Sequence, residues 1–214
     1  MAAPLPTVRE TLAGPAGIIE LAAHRPEHAE ALAIVAHPHP LFGGSMDNKV
    51  VTTLARAAYD AGAAAYRFNF RGVGGSAGSH DEGRGETQDL VSLANALTAR
   101  HAGLPLWLCG FSFGGAVSLA ATASLTASAM VLVAPGFARM AYWPEIAADI
   151  PPPTQCLLIH GSADDVVPLA GSLEWARANE TPVAVIPEAD HFFHRRLHVV
   201  RRLALGAFLA AKCG

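Results

Sequence analysis

Three short stretches contain the residue types needed for acyl transfer through a covalent serine intermediate. The first is Gly110-Phe111-Ser112-Phe113-Gly114-Gly115, a G-x-S-x-G pattern. It follows the apolar run Leu106-Trp107-Leu108-Cys109 and leads into Ala116-Val117-Ser118-Leu119-Ala120. A serine between a strand and a helix in this pattern sits on a tight turn, where bulkier neighbours would clash. The following helix start favours negative charge as it develops. A serine hydroxyl is a weak nucleophile until a base takes its proton. The second stretch, His160-Gly161-Ser162-Ala163-Asp164-Asp165-Val166-Val167-Pro168, offers two acids. The third, Pro187-Glu188-Ala189-Asp190-His191-Phe192-Phe193-His194, offers the base. The order Ser, acid, His is the one expected when all three follow strands of one sheet. His191 directly follows the last apolar run and is the expected base; His194 falls about one helical turn further on. Either Asp164 or Asp165 could orient it. The backbone N–H of Phe113, the residue after the nucleophile, is the expected first donor of an oxyanion hole.

These residues need a scaffold that brings three separate turns together. The sequence alternates short apolar runs with longer amphipathic ones. Strands are expected at 17–22, 32–37, 63–70, 106–110, 129–134, 156–160 and 183–187. Helices are expected at 48–61, 86–102, 113–124, 169–179 and 193–211, with a short one within 138–149. Near-continuous apolar strands are covered on both faces, and strand–helix alternation gives a mostly parallel sheet with right-handed crossovers. Ligands of such sheets bind beyond the carboxyl ends of the strands, where Ser112, the two acids and His191 all fall.

The chain has 214 residues, 51% hydrophobic and only 15% charged, with a formal net charge of -3. That length fits a single domain, 1–214, and the composition excludes disorder. The charge balance lacks the basic face that a nucleic-acid phosphate backbone requires. Arg195, Arg196, Arg201 and Arg202 lie at helical spacing, as on a solvated helix face. The apolar stretch 102–138 is broken by Gly103, Pro105, Gly110, Gly114, Gly115 and Pro135, so no membrane span is expected. No signal peptide is legible, and three cysteines without close spacing (Cys109, Cys156, Cys213) suit a reducing, cytoplasmic setting.

Two other stretches could form competing sites. His37 and His39 with His191 and His194 are compatible with zinc, but the ligand spacing is incomplete and His191 already has a role. Gly72-Val73-Gly74-Gly75-Ser76-Ala77-Gly78 departs from the dinucleotide-binding fingerprint and has no helix directly after it. No metal or organic cofactor is therefore expected.

The three stretches above resemble the small bacterial α/β hydrolases related to dienelactone hydrolase. His37-Pro38-His39-Pro40-Leu41-Phe42-Gly43-Gly44 and Arg67-Phe68-Asn69-Phe70-Arg71-Gly72-Val73-Gly74 resemble a lidless branch of that superfamily, and the likeness runs from about Ile34 to the C-terminal helix. The resemblance implies an α/β-hydrolase fold: a mostly parallel central sheet with helices on both faces and a minimal or absent lid. It implies Asp164 as the acid and Leu41 as the second oxyanion-hole N–H. Dienelactone hydrolases carry cysteine where this chain has Ser112, so their substrate is not carried over. The expected activity is hydrolysis of a small carboxylic ester by a monomer or homodimer. A thioesterase, a peptidase and a non-catalytic binding module are the alternatives.

Overall fold

The computed structural model describes residues 5–140, 152–153 and 155–212. Eight strands form one sheet: β1 Val8–Gly14, β2 Gly17–His24, β3 Ala31–Ala36, β4 Ala63–Phe68, β5 Leu106–Phe111, β6 Ala129–Val133, β7 Gln155–Gly161 and β8 Val183–Ile186. Their spatial order is β1-β2-β4-β3-β5-β6-β7-β8. Pairs β1·β2 and β2·β4 are antiparallel, and every later pair is parallel. Among the described residues the α-helices are α1 Lys49–Asp60, α2 Arg84–Arg100, α3 Phe113–Ala120, α4 Leu169–Ala178 and α5 Leu197–Ala211.

Alternation along the strands sends successive side chains to opposite faces. In β3, Leu32 and Ile34 join one core with Leu93 and Leu97 of α2, Val117 of α3 and Trp175 of α4. Ala33 and Val35 join the other with Val50 and Leu54 of α1 and Phe208 of α5. Trp107 of β5 lies stacked on Phe208, with centroids 4.9 Å apart and planes within 5°. The strands are thus apolar on both sides because helices cover both sides.

The expected seven strands and five helices are all present, with differences at their ends and at the sheet edge. An eighth strand, β1, forms the sheet's outer antiparallel hairpin. Its Arg9 and Glu10 face solvent-side partners, Asp47 and Arg25, so the segment lacks the apolar run that marks a central strand. Strand β4 stops at Phe68, and the next residues turn away. Helix α5 begins at Leu197 rather than at 193, because Phe193 and Arg195 adopt positive φ of 54° and 61°, outside the right-handed helical region. A 3₁₀ turn at Phe137–Arg139 overlaps the start of the short helix expected within 138–149, and residues 141–149 lie outside the described residues. Among the described residues, no helix is long and apolar enough to cross a membrane.

Candidate active site

Ser112 is the residue between β5 and α3, with φ 54° and ψ −120°. This strained conformation is held from several directions. The Ser112 N–H donates to the Val133 carbonyl at 2.9 Å, and its own carbonyl accepts from Gly115 and Gly136 at 2.9 Å each. The flanking glycines are a steric necessity. A Cβ on Gly110 would lie 2.2 Å from the Gly114 carbonyl oxygen, and one on Gly114 would lie 2.4 Å from that of His37. The Phe113 N–H heads α3, where no preceding helical carbonyl can receive it.

The acid and the base come from the turns after β7 and β8. A Cβ on Gly161 would lie 2.2 Å from the Ala189 carbonyl oxygen, so only glycine lets these turns meet. The Ala163 N–H donates to that same oxygen at 3.0 Å, and the Glu188 N–H to Ser162 Oγ at 2.8 Å. The result is a contact of 2.7 Å between Asp164 Oδ2 and His191 Nδ1. Asp164 Oδ1 accepts the Val166 and Val167 N–H groups at 2.9 and 2.8 Å. Burial alone would raise the Asp164 pKa. The hydrogen bonds from His160, His191 and Val167 outweigh it and hold the carboxyl well below the usual carboxylate range. An ionised Asp164 places the proton of a neutral His191 on Nδ1 and leaves Nε2 as the basic nitrogen.

Ser112, only 6% exposed, and His191, 3% exposed, line one cavity of about 280 Å³. Its other described lining residues are Pro38, His39, Phe42, Gly43, Gly44, Asn48, Val166 and Phe192. Asp164 contacts His191, and His191 shares the cavity lining with Ser112. Asp165 is exposed, and His194 is exposed and paired with Asp190 at 2.6 Å. Leu41 lies in the 3₁₀ turn Pro40–Phe42. Its N–H donates to His39 Nδ1 at 3.3 Å, and its side chain, 69% exposed, lies outside the cavity's described lining. The 3₁₀ turn Pro40–Phe42 folds Leu41 back onto His39. The loop that the resemblance assigns to the second donor therefore borders the cavity through its other residues.

His37 is fully buried, with both ring nitrogens bound to backbone: Nε2 accepts the Phe70 N–H at 3.0 Å and Nδ1 lies 2.6 Å from the Pro38 carbonyl. Desolvation lowers its pKa to about 4. It braces the loop rather than presenting a lone pair to an ion. Cys109 is buried, and desolvation pushes its thiol far above the usual range, away from a nucleophilic thiolate.

Several contributors were not legible in the sequence. Arg67 bonds His24, the Met46 carbonyl and Asp47, while the Asn69 side chain accepts the Met46 N–H at 2.9 Å. Together they fix the turn that delivers Asn48 to the cavity wall. Phe192 and Val166 form apolar rims next to the base and the acid. Their only signal was adjacency to His191 and Asp164.

Residues 30–155 match the family model described as Hydrolase_4, serine aminopeptidase, S33. A lidless α/β serine hydrolase from Xanthomonas campestris is 39% identical, with a TM-score of 0.87 and 96% of each chain covered. An α/β serine hydrolase homologue from Coxiella burnetii is 34% identical, with a TM-score of 0.84 over 96% of this chain and 99% of that one. A dienelactone hydrolase from Anabaena variabilis shares the fold at 20% identity, with a TM-score of 0.76 over 96% of this chain and 97% of that one. The strained serine turn and the shared topology have the same origin: this chain belongs to the α/β serine hydrolase family.

Proposed function

We propose that the protein hydrolyses small carboxylic esters through an acyl-enzyme formed on Ser112. The observation that carries this reading is the 2.7 Å Asp164–His191 contact at the wall of the cavity that also holds Ser112. His191 Nε2 takes the Ser112 proton as Oγ attacks the ester carbonyl. The oxyanion that forms meets the Phe113 N–H and a second N–H from the loop 38–44. If Leu41 supplies that second donor, its bond to His39 must open first. Collapse breaks the bond to the alkoxy oxygen, and the imidazolium returns the proton to the departing alcohol. Water, deprotonated by the same His191, then attacks the acyl carbonyl and releases the acid and Ser112. Asp164 stays ionised and stabilises the imidazolium in both halves. No metal or organic cofactor enters this scheme.

Two features favour an ester over a peptide with a free amino terminus. Among the described lining residues none is acidic, whereas an aminopeptidase must hold the substrate's ammonium group. Pro38, Phe42, Val166 and Phe192 instead offer apolar surface for an acyl chain. A cavity of about 280 Å³ suits a short or flat acyl group better than a long chain. Cys109 and Cys156 are free thiols inside the sheet, in keeping with a cytoplasmic enzyme.

A fluorophosphonate probe and a series of p-nitrophenyl esters test the reading. One covalent adduct, absent in Ser112→Ala, is expected, with kcat/KM highest for acetyl or butyryl. A folded wild type that neither takes the label nor turns over any ester in the series would point to a binding module. A maximum at palmitoyl would overturn the inference from cavity size.

A further inference from the structure

His160, one residue before the end of β7, is fully buried and takes no part in the steps above. Both of its nitrogens are engaged. Nε2 lies 3.0 Å from the Val167 carbonyl oxygen and 3.3 Å from Asp164 Oδ2. Nδ1 lies 2.9 Å from Ser172 Oγ on α4, itself buried. A carbonyl and a carboxylate only accept, so Nε2 carries a proton shared between them. The Ser172 hydroxyl turns to suit Nδ1 and donates to it in the neutral ring.

This gives Asp164 four donors on two oxygens. Oδ1 is held by the Val166 and Val167 N–H groups. Oδ2 lies between two imidazoles, with His191 on the cavity side and His160 on the buried side. The terminal torsion of an aspartate is soft, because its well is broad. Donors on both oxygens remove that softness. The depressed pKa of Asp164, to which bonds from His160 and His191 both contribute, agrees with this packing.

We propose that His160 is a positioning residue for the triad, its Nε2–H, aimed by Ser172, fixing the rotation of the Asp164 carboxylate so that Oδ2 stays on the Nδ1–H of His191. The inference rests on the serine-hydrolase reading above. His160 is outside the described cavity lining and acts only through Asp164. The pair Ser172–His160 also links helix α4 to the acid turn, so the orientation of His191 depends on a helix that contributes no residue to the described lining of the cavity.

Three full-length variants test this. Glutamine places an amide N–H close to where Nε2–H lies, and leucine fills the space with no donor. His160→Gln should keep kcat within about tenfold of wild type. His160→Leu should lose about 100-fold in kcat with KM changed by less than about twofold, as a misoriented catalytic group would. The low-field proton resonance of His191 Nδ1–H should persist in the Gln variant and be lost or move upfield in the Leu variant. A folded Leu variant with wild-type kcat and resonance overturns the proposal, as does a Gln variant that falls as far as Leu. If the Leu variant does not fold, Ser172→Ala decides. It should lower kcat severalfold at constant KM and broaden the resonance, and an unchanged kcat and resonance overturns the proposal. The resonance reads geometry without turnover. Loss of ester hydrolysis or of Ser112 labelling in the wild type would therefore count against the proposed function alone.

Discussion

At the scale of single residues, two adjacent acids have opposite fates. Asp164 is wrapped by four donors with its side chain fully buried, and Asp165 faces solvent. Asp164→Asn should lower kcat by roughly 10³–10⁴, because the amide can place its N–H toward His191 and favour the wrong tautomer. It should also lower the melting temperature, since the same amide would oppose the His160 donor. Asp165→Asn should stay within about tenfold in kcat and within about 0.5 kcal/mol in stability. Steady-state kinetics well below both melting temperatures check the pair, and equal mild losses would sink the triad as drawn. The sequence carried Ser112, His191 and the acid pair because each follows an apolar run in a fixed order. It did not carry His160, because a histidine inside a strand looks the same whether it packs or aims a carboxylate. The second oxyanion donor was hard to read for a related reason: a backbone donor leaves no side-chain trace, and the Leu41 N–H meets His39 Nδ1 here.

At the scale of elements, the parallel strands were legible because helices on both faces make them apolar throughout. Strand β1 was not, because an exposed edge tolerates Arg9 and Glu10. The start of α5 was not, because nothing in Phe193 or Arg195 announces a left-handed backbone. Where β3 hands over to the 38–44 loop, His37 ties that junction to Phe70 beyond β4. Its pKa falls from 6.5 to about 4 on folding, so between these values the unfolded chain binds the extra proton. Stability from this group is complete above pH 6.5 and drains away as the pH falls toward 4, by about 3 kcal/mol in all. Desolvation lowers the pKa of His24 and His101 as well, adding to the slope. Urea unfolding at pH 7.5 and 4.5 should show this loss. His37→Gln should start lower at pH 7.5 but lose clearly less on acidification; an identical loss would remove His37 as its source.

At the scale of the whole molecule, the site is assembled from parts of unequal depth. Ser112 stands on β5, which is paired on both sides within the sheet, whereas the acid and base hang from β7 and β8 at its margin. Strand β8 spans only four residues, Val183–Ile186, and all but Ile186 are partly exposed or exposed. Edges of this kind open locally at a fraction of the global unfolding free energy. The turns after β7 and β8 are joined to each other through Gly161 and Ala189, so fraying of β8 would carry His191 off while the central strands stay intact. Catalysis should then disappear at lower urea concentrations than the circular dichroism signal, and amides of Val183–Ile186 should exchange faster than those of Leu106–Phe111. Coincident loss of activity and ellipticity would show the margin to be as firm as the centre. If the two separate, the enzyme carries an inactive but folded state a small free-energy step away, and its working life under heat or denaturant is set by the grip of one four-residue strand.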